Sequence, residues 1–457
     1  MINKKVISTF VIVAFIFTTC TFFIKKELET SFLVKVSADE LLLSLSGNSK
    51  DKKFREALEV ANEMQLVSNE DYITIFGKAF SEIDPNASLA TIFSTAHLRN
   101  RISFNSTNEE VLRVLKCEVD YAIDRSINIL RTRIDRYGIR HQNIKRVDNS
   151  ENILIELPAV ENIDRVRRLI EAKAKLEFWE TYEYSEIYNY FFEANEVLRG
   201  VDIWEIAEQL KPEEQDLLPA GKEAKQNANQ KSESAFDQSK KADLLDLITG
   251  ELTPGDDEVF KEFAIENPLF AFLMPAFSPD ENGNMYPMKG PVVGYTSMPD
   301  TAIVNYLLNK EQVSQILPRD LRLYWDIIPV TYDKNMMRLL AIRVTMRDGS
   351  APLDDLVITD ARQDYDQYGN PAISMSMNRE GTRIWRRLTA DNTGRSIAMV
   401  FDGYVYSYPR VMSEITEGRS TITGQFTIEE AQDLANLLRT GSLPVSVRIV
   451  EENIKRE

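Results

Sequence analysis

Residue types able to do covalent or acid–base chemistry are sparse and scattered in this sequence. Its two histidines, His97 and His141, stand in unrelated segments, so a metal-ligand cluster or a nucleophile–base triad would have to rest on one imidazole. The two cysteines, Cys20 inside an N-terminal apolar stretch and Cys117 in a polar context, form neither a disulfide framework nor a zinc site. Asp364 and Asp366 in DYDQYG lack the rest of a calcium loop and read as solvated turn residues. No Gly-rich phosphate loop precedes a helix, which leaves nucleotide binding without support. No enzyme and no cofactor is expected, and the chemistry that remains is non-covalent recognition.

Aromatic residues are the better candidates for that. Residues 394–409 read GRSIAMVFDGYVYSYP, and Asp402-Gly403 between two β-prone runs signals a hairpin with a two-residue type I′ turn, in which both turn residues take positive φ. A two-residue loop pairs Phe401 with Tyr404, Met399 with Tyr406 and Ile397 with Tyr408, all on one face, with Ala398, Val400 and Val405 on the other. A hairpin apolar on both faces is an interior one, so core packing is the first reading of its tyrosines and a binding role the second. Tyr404, Tyr406 and Tyr408, with Tyr324 and Trp325 from LRLYWDIIPV, are the candidates for an aromatic groove that contacts a polypeptide. An exposed strand edge that pairs with an extended peptide is the other available device.

The elements that must position these residues are legible in stretches. SFLVKV reads as a short strand, and residues 38–108 as helical and loop-rich, with Phe54, Leu58, Val60 and Met64 in period. A long helix runs from Asn108 to a stop at Gly138. The strands NIKRV and NILIELP, the helix ENIDRVRRLIEAK and the strand KLEFWETYE follow. Helix, strand, strand, helix, strand is the order of a ferredoxin-like sandwich, with SFLVKV as its first strand. Residues 211–241 are polar and nearly free of aromatics and read as a disordered or loosely helical insertion. A second compact region begins near Pro291. It includes the strand GPVVGYTS, the helix TAIVNYLLNKEQVSQIL, the strands VITDARQDYD and PAISMSMN, a helix capped by Asn378 and the strand STITGQF. A capping box at Thr427 and Glu430 then starts a helix that Gly441 stops.

Length and charge bound the rest. The 457 residues suffice for two or three domains with real cores at 43% hydrophobic content, and a net charge of −17 argues against a nucleic-acid partner. Residues 6–24 are uncharged between Lys4-Lys5 and Lys25-Lys26, and nineteen residues span about 28 Å as a helix, close to the hydrocarbon thickness of a bilayer. An uncleaved N-terminal anchor is expected. A cleaved signal lacks the small-residue A-x-A pattern, and FTT before Cys20 is a poor lipoprotein site.

The succession VITDARQDYDQYGNPAISMSMNREGTRIWRRLTADNTGRSIAMVFDGYVYSYPRVMSE, then TITGQFTIEEAQDLANLLRTGSLPVSVRIVEE, resembles the first periplasmic domain of the SecD family of bacterial protein-export subunits. NILRTRIDRYGI, ILIELPAVENIDRVRRLI and AKLEFWE are similar to that family's base subdomain, in the same order. The acidic insertion and the extra helical region resemble the fused SecD-SecF proteins of Bacteroidetes-type bacteria.

The resemblance implies an α+β fold: one N-terminal membrane helix, a ferredoxin-like base subdomain, and an α+β head subdomain inserted before the last base strand, VSVRIVEE. The expected organisation is an anchor or signal at 1–26, a base at 27–183 with a helical insertion at about 38–108, a variable acidic insertion at 184–289, a head at 290–441 and a final base strand at 442–457. It also implies a location on the bacterial inner membrane with the bulk of the chain in the periplasm. There the domain holds or releases a translocating unfolded polypeptide beside the SecYEG channel and a SecF-type subunit or domain. Motion between subdomains would use crossover points near Tyr182 and Tyr184 and near Gly441 and Pro444.

Two departures qualify the resemblance. The family's G-L-D-L-K-G-G-like stretch after the anchor is absent, and the sequence ends at Glu457 before the family's second membrane helix. It therefore reads as a truncated product, a fragment or a stand-alone derivative without the proton-conducting membrane part. A stand-alone, membrane-anchored periplasmic binding or scaffold protein is the alternative function.

Overall fold

A computed structural model describes residues 30–454, apart from 69, 149, 159, 161, 202, 204–205, 207–209, 211–256, 280–283, 328–334 and 425. The expected N-terminal anchor and the 211–241 insertion lie outside the described residues. Among the described residues no helix is long and apolar enough to cross a membrane. The chain forms two compact units, one from residues up to Lys173 together with Leu443 onward, the other from Ala174–Ser442.

The first unit begins with strand β1 (Thr30–Val36), whose alternation buries Thr30, Phe32, Val34 and Val36, as period two requires of a strand with one covered face. Four helices follow, α1 (Ala38–Leu45), α2 (Lys52–Gln65), α3 (Tyr72–Ile83) and α4 (Leu89–Phe93). Asp51 and Asp71 cap α2 and α3 by accepting from Phe54 N at 2.9 Å and Thr74 N at 3.2 Å. Phe54 meets Phe76 and Phe93 edge to face at 6.0 and 5.6 Å, and these rings share one core with β1. The long α5 (Asn108–Arg136) opens on a capping box of Thr107 and Glu110 and ends before Gly138, which takes φ +93°. Strands β2 (Asn143–Arg146) and β3 (Asn152–Leu157) and helix α6 (Ile163–Glu171) come next.

The C-terminal strand β17 (Val447–Ile454) completes this sheet, whose order is β17-β1-β3-β2 with every pair antiparallel. Here the structure differs from the strand order read from the local pattern. KLEFWETYE follows α6 directly but does not close the first sheet, because β17 takes the edge of β1 from Thr30 to Val36. KLEFWETYE instead supplies a strand to the second unit.

That strand is β4 (Leu176–Thr181), followed by α7 (Tyr184–Val197) and α8 (Asp257–Glu266). Short strands β5 (Met274–Pro275), β6 (Phe277–Pro279) and β7 (Met285–Pro287) precede β8 (Val292–Ser297). Helices α9 (Thr301–Leu308) and α10 (Glu311–Ser314) lead to β9 (Leu321–Trp325), β10 (Met336–Arg343) and the two-residue β11 (Leu353–Asp354). Strands β12 (Ile358–Tyr365) and β13 (Pro371–Met377), helix α11 (Arg379–Asp391), the hairpin β14 (Ile397–Phe401) and β15 (Tyr404–Ser407), β16 (Arg419–Thr423) and α12 (Ile428–Thr440) complete the unit.

Its strand pairings form a closed ring. β4 pairs with β10 and β14, β10 with β9, and β14 with β15. The last seam, β9 to β15, is made by the parallel bridge Asp326–Val405 and by Ile327 N donating to Val405 O at 3.0 Å. Closure gives each of β4, β10, β9, β15 and β14 a neighbour on both sides, while β8 and β5 extend the same sheet outward from β10. The interior holds Trp179, Leu340, Ile342, Ala398, Val400 and Val405, each 0% exposed. On the other face of β9 and β10, Trp325, Leu339 and Ala341 pack against α7, α9 and the segment from Leu269 to Leu273. A separate three-stranded sheet, β12-β13-β16, lies beside α12.

Candidate functional site

Asp402 and Gly403 turn the hairpin with φ +49° and +85°, the positive values that a type I′ turn requires. Phe401 pairs with Tyr404 and Val400 with Val405, as the turn predicts, but Met399 then pairs with Ser407. A bulge leaves Tyr406 as the extra residue on β15 and resets the alternation beyond it. The expectation that three tyrosines share one face is therefore corrected.

The five aromatic candidates divide among three surroundings. Trp325 lies on the helix-covered face, 8% exposed, and its indole N–H donates to Asn305 Oδ1 at 3.0 Å; Tyr404 packs partly buried in the same cluster. Tyr324 and Tyr408 pack instead against the ring interior around Trp179. Tyr406 lies 5.5 Å edge-on from Phe401 and stacks on Phe426 at 6.4 Å, and burial pushes its hydroxyl far above the ordinary tyrosine range. The five do not converge on one groove.

Of the five, Tyr408 lines an opening. The mouth of the ring is a cavity of about 410 Å³ bordered by Glu183, Lys289, Tyr295, Arg338, Ser396, Tyr408 and Arg410 among others. Arg338 Nη1 donates to the Tyr408 hydroxyl at 2.7 Å, and Arg338 Nε stands 3.0 Å from Asp326 Oδ2. Asp326 is 1% exposed at the seam residue itself. Burial pushes its carboxyl up to about 7 against the opposing pull of Arg338. Toward the other end of β4, Glu177 accepts from Trp179 Nε1 at 3.3 Å and pairs with Lys175 Nζ at 2.6 Å, while the Arg322 guanidinium stacks 5.1 Å from the Trp179 ring.

The three-stranded sheet offers the strand-edge device. In its order β12-β13-β16 the outer edges of β12 and β16 are unpaired among the described residues. Ala361, Met375, Ile373 and Ile422 form its buried face, whereas Arg362, Ser374 and Thr421 stand in register on the opposite, polar face. The alternation ISMSM in the sequence carries that division, Met inward and Ser outward.

The crossover candidates fall differently. The chain passes between units at Lys173–Ala174 and Ser442–Leu443. Gly441 (φ +78°) and Pro444 flank the second passage, but Tyr182 and Tyr184 lie past the first, inside the second unit. Tyr182 donates to Asp320 Oδ1 at 2.7 Å, and burial together with Asp320 pushes its hydroxyl up to about 12. Tyr184, 1% exposed, sits edge-on to Tyr188, Phe191 and Phe277. Both are fixed by packing, which an apolar period cannot reveal.

Residues that sequence reasoning missed hold these passages. In the first unit Arg133, 1% exposed, donates to Leu169 O at 3.2 Å and Lys173 O at 3.3 Å, and Lys173 O also accepts from Leu443 N at 2.8 Å. In the second, the Asp402 carboxylate accepts from Ala174 N at 2.9 Å and Lys175 N at 2.8 Å.

Family models match this chain in both units. "SecDF, P1 head subdomain" matches residues 343–445, and "Protein translocase subunit SecDF, P1 domain, N-terminal" matches residues 123–183. The chain carries the P1 domain of the SecD/SecDF family. A "Protein translocase subunit SecD" from Rhodothermus marinus is 33% identical over 422 residues, which is 92% of this chain and 60% of that protein. The SecD of Dictyoglomus turgidum is 44% identical over 103 residues, 22% of this chain and 26% of that protein. The chain thus spans less than two thirds of the length of these relatives. A crystal structure of SecDF in super-membrane-facing form is 19% identical, covering 73% of this chain and 28% of that one at a TM-score of 0.35. A structure described as a membrane component SecDF that enhances protein export is 20% identical, covering 72% and 91% at a TM-score of 0.34. The head model takes in β12 to α12 of this P1 domain, and the N-terminal model takes in β2, β3, α6 and β4.

Proposed function

We propose that this P1 domain is an accessory, non-catalytic part of Sec-dependent protein export that holds and releases an unfolded polypeptide on the periplasmic side of the bacterial inner membrane. It would work beside the SecYEG channel and a SecF-type subunit or domain, tethered by a single helix at residues 6–24. The first unit is read as the ferredoxin-like base, which the antiparallel order β17-β1-β3-β2 with α5 and α6 supports. The second unit is read as carrying the head.

The observation that carries the holding role is the sheet β12-β13-β16, whose outer edges pair with no other strand among the described residues and which is polar on one face. Main-chain addition at such an edge needs no particular sequence in the guest, as a carrier of many exported chains requires. The dispersal of the five aromatics favours the edge over an aromatic groove. Gly441 and Pro444 are retained as one hinge, and the other is assigned to Lys173–Ala174, where the chain passes between units.

The test is site-specific photo-crosslinking in a full-length SecD that carries this domain. A photoreactive residue at Thr421 or Arg362 is expected to capture a stalled exported chain, and one at the buried Trp385 is not. Equal capture at all three, or none at Thr421 and Arg362, overturns the edge reading. An anchored scaffold without an export role would crosslink to folded partners only.

A further inference from the structure

The mouth of the second unit's ring has a charge balance opposite to that of the chain. Lys289, Arg338 and Arg410 border it against one carboxylate, Glu183, in a protein of net charge −17. Glu183 is already engaged, its Oε2 accepting from Gly290 N at 2.7 Å. Tyr295, Ser396 and Tyr408 add hydroxyls to the same wall. Lys289 and Arg410 are exposed at the rim, and Arg338, with its side chain 19% exposed, forms the floor.

Behind the floor stands Asp326. Its Oδ1 accepts from Arg338 N at 3.4 Å, and its Oδ2, 3.0 Å from Arg338 Nε, has no aligned hydrogen bond. Arg338 thus divides its guanidinium between a buried acid and the Tyr408 hydroxyl on the cavity wall. We propose that the mouth binds a carboxylate-bearing ligand, with Arg338, Lys289 and Arg410 as its cationic contacts and Asp326 as an internal acid that competes with the ligand for Arg338. A carboxylate presents two coplanar oxygens to the guanidinium fork, which distinguishes it from a halide. The ligand's source is either an acidic residue of a polypeptide or a free organic acid, and the chemistry of recognition is the same.

Competition makes the binding pH-linked. The groups facing Asp326 and Arg338 are Tyr295 from β8 and Tyr408 beyond β15, with Glu183, Lys289 and Arg410 around the opening. Burial raises the Asp326 carboxyl to about 7, so between pH 8 and pH 6 it takes up a proton and releases Arg338 to the ligand. A ligand carboxylate stays ionised over that range.

The test is an NMR titration of the full chain at pH 6 and pH 8 with a short unstructured peptide containing one Glu, its Gln counterpart, glutarate and inorganic phosphate. The Glu peptide is expected to bind about tenfold more tightly than the Gln peptide, and about threefold more tightly at pH 6 than at pH 8. The surface pair Lys289→Gln and Arg410→Gln is expected to weaken binding about fivefold at unchanged melting temperature, and Asp326→Asn to abolish the pH difference. Preference for the Glu peptide assigns the site to polypeptides, and equal or tighter binding of glutarate assigns it to free acids; either supports the site. Equal binding of the Glu and Gln peptides, tighter binding of phosphate than of any carboxylate, or indifference to the rim substitutions overturns it. An uncharged extended peptide perturbing β12 or β16 alone would bear on the edge reading and not on this one.

Discussion

Trp179 concentrates what a single residue does in the ring. It is 0% exposed between Ala398 on β14 and the interior side chains of β10, with its indole N–H satisfied by Glu177 and its face covered by Arg322. Trp179→Ala should cost ~3–5 kcal/mol through lost burial and an uncollapsed cavity. Tyr368→Ala, at a site 81% exposed, should stay within about 0.5 kcal/mol. Urea unfolding of the two variants checks this, and a Trp179→Ala loss no larger than that of Tyr368→Ala would remove the ring interior as the unit's core. Asp402 shows how far residue-level legibility went. The Asp-Gly pair announces its turn because the need for positive φ is local, and the turn is there. That the same carboxylate would accept from the backbone of Ala174 and Lys175 is carried by no local pattern, since those partners lie more than two hundred residues away.

At the scale of elements, the legible parts were those whose signal is held within one turn or one period. Helices α5, α11 and α12 begin at Thr107, Asn378 and Thr427, each side chain accepting from a backbone N–H in the first turn, and the alternation of β13 gives its two faces. Thr107→Ala removes one half of the α5 capping box and should lower the stability of the first unit by about 1 kcal/mol. Thr107→Ser should restore most of it, because Ser offers the same acceptor. Denaturant unfolding followed by hydrogen exchange at Val111 and its neighbours measures both effects, and an alanine variant indistinguishable from the parent would mean that α5 is set by packing alone. What the pattern did not give is partner choice. β4 and β17 are both apolar and of strand length, and either could have closed the first sheet. The strand that runs antiparallel beside β1 from Thr30 to Val36, with one register shift between Leu33 and Val34, is β17. The bulge between Met399 and Val400 was hidden for the same reason, since one unpaired residue changes which side chains meet without changing their types.

At the scale of the molecule, one unit is continuous in sequence and the other is not. Residues 174–442 contain every strand of the ring, the helices over its outer face and the sheet β12-β13-β16. The first unit needs residues from both ends, because β17 supplies Val447 to its core while β1 supplies Phe32 and Val34. Without β17, β1 would expose the ladder that now pairs from Thr30 to Val36, an open edge that invites self-association. Excision of 174–442 should therefore leave that segment folded and cooperative by itself, while 30–173 alone should be aggregation-prone or unfolded. Joining 30–173 to 443–457 through a short flexible linker should rescue it, since Lys173 O and Leu443 N already lie 2.8 Å apart and loop closure over so small a gap costs little entropy. Amide NMR dispersion and thermal unfolding of the three pieces decide the matter. A well-folded 30–173 would show that β17 is dispensable, and an unfolded 174–442 would show that the ring depends on the first unit for its stability.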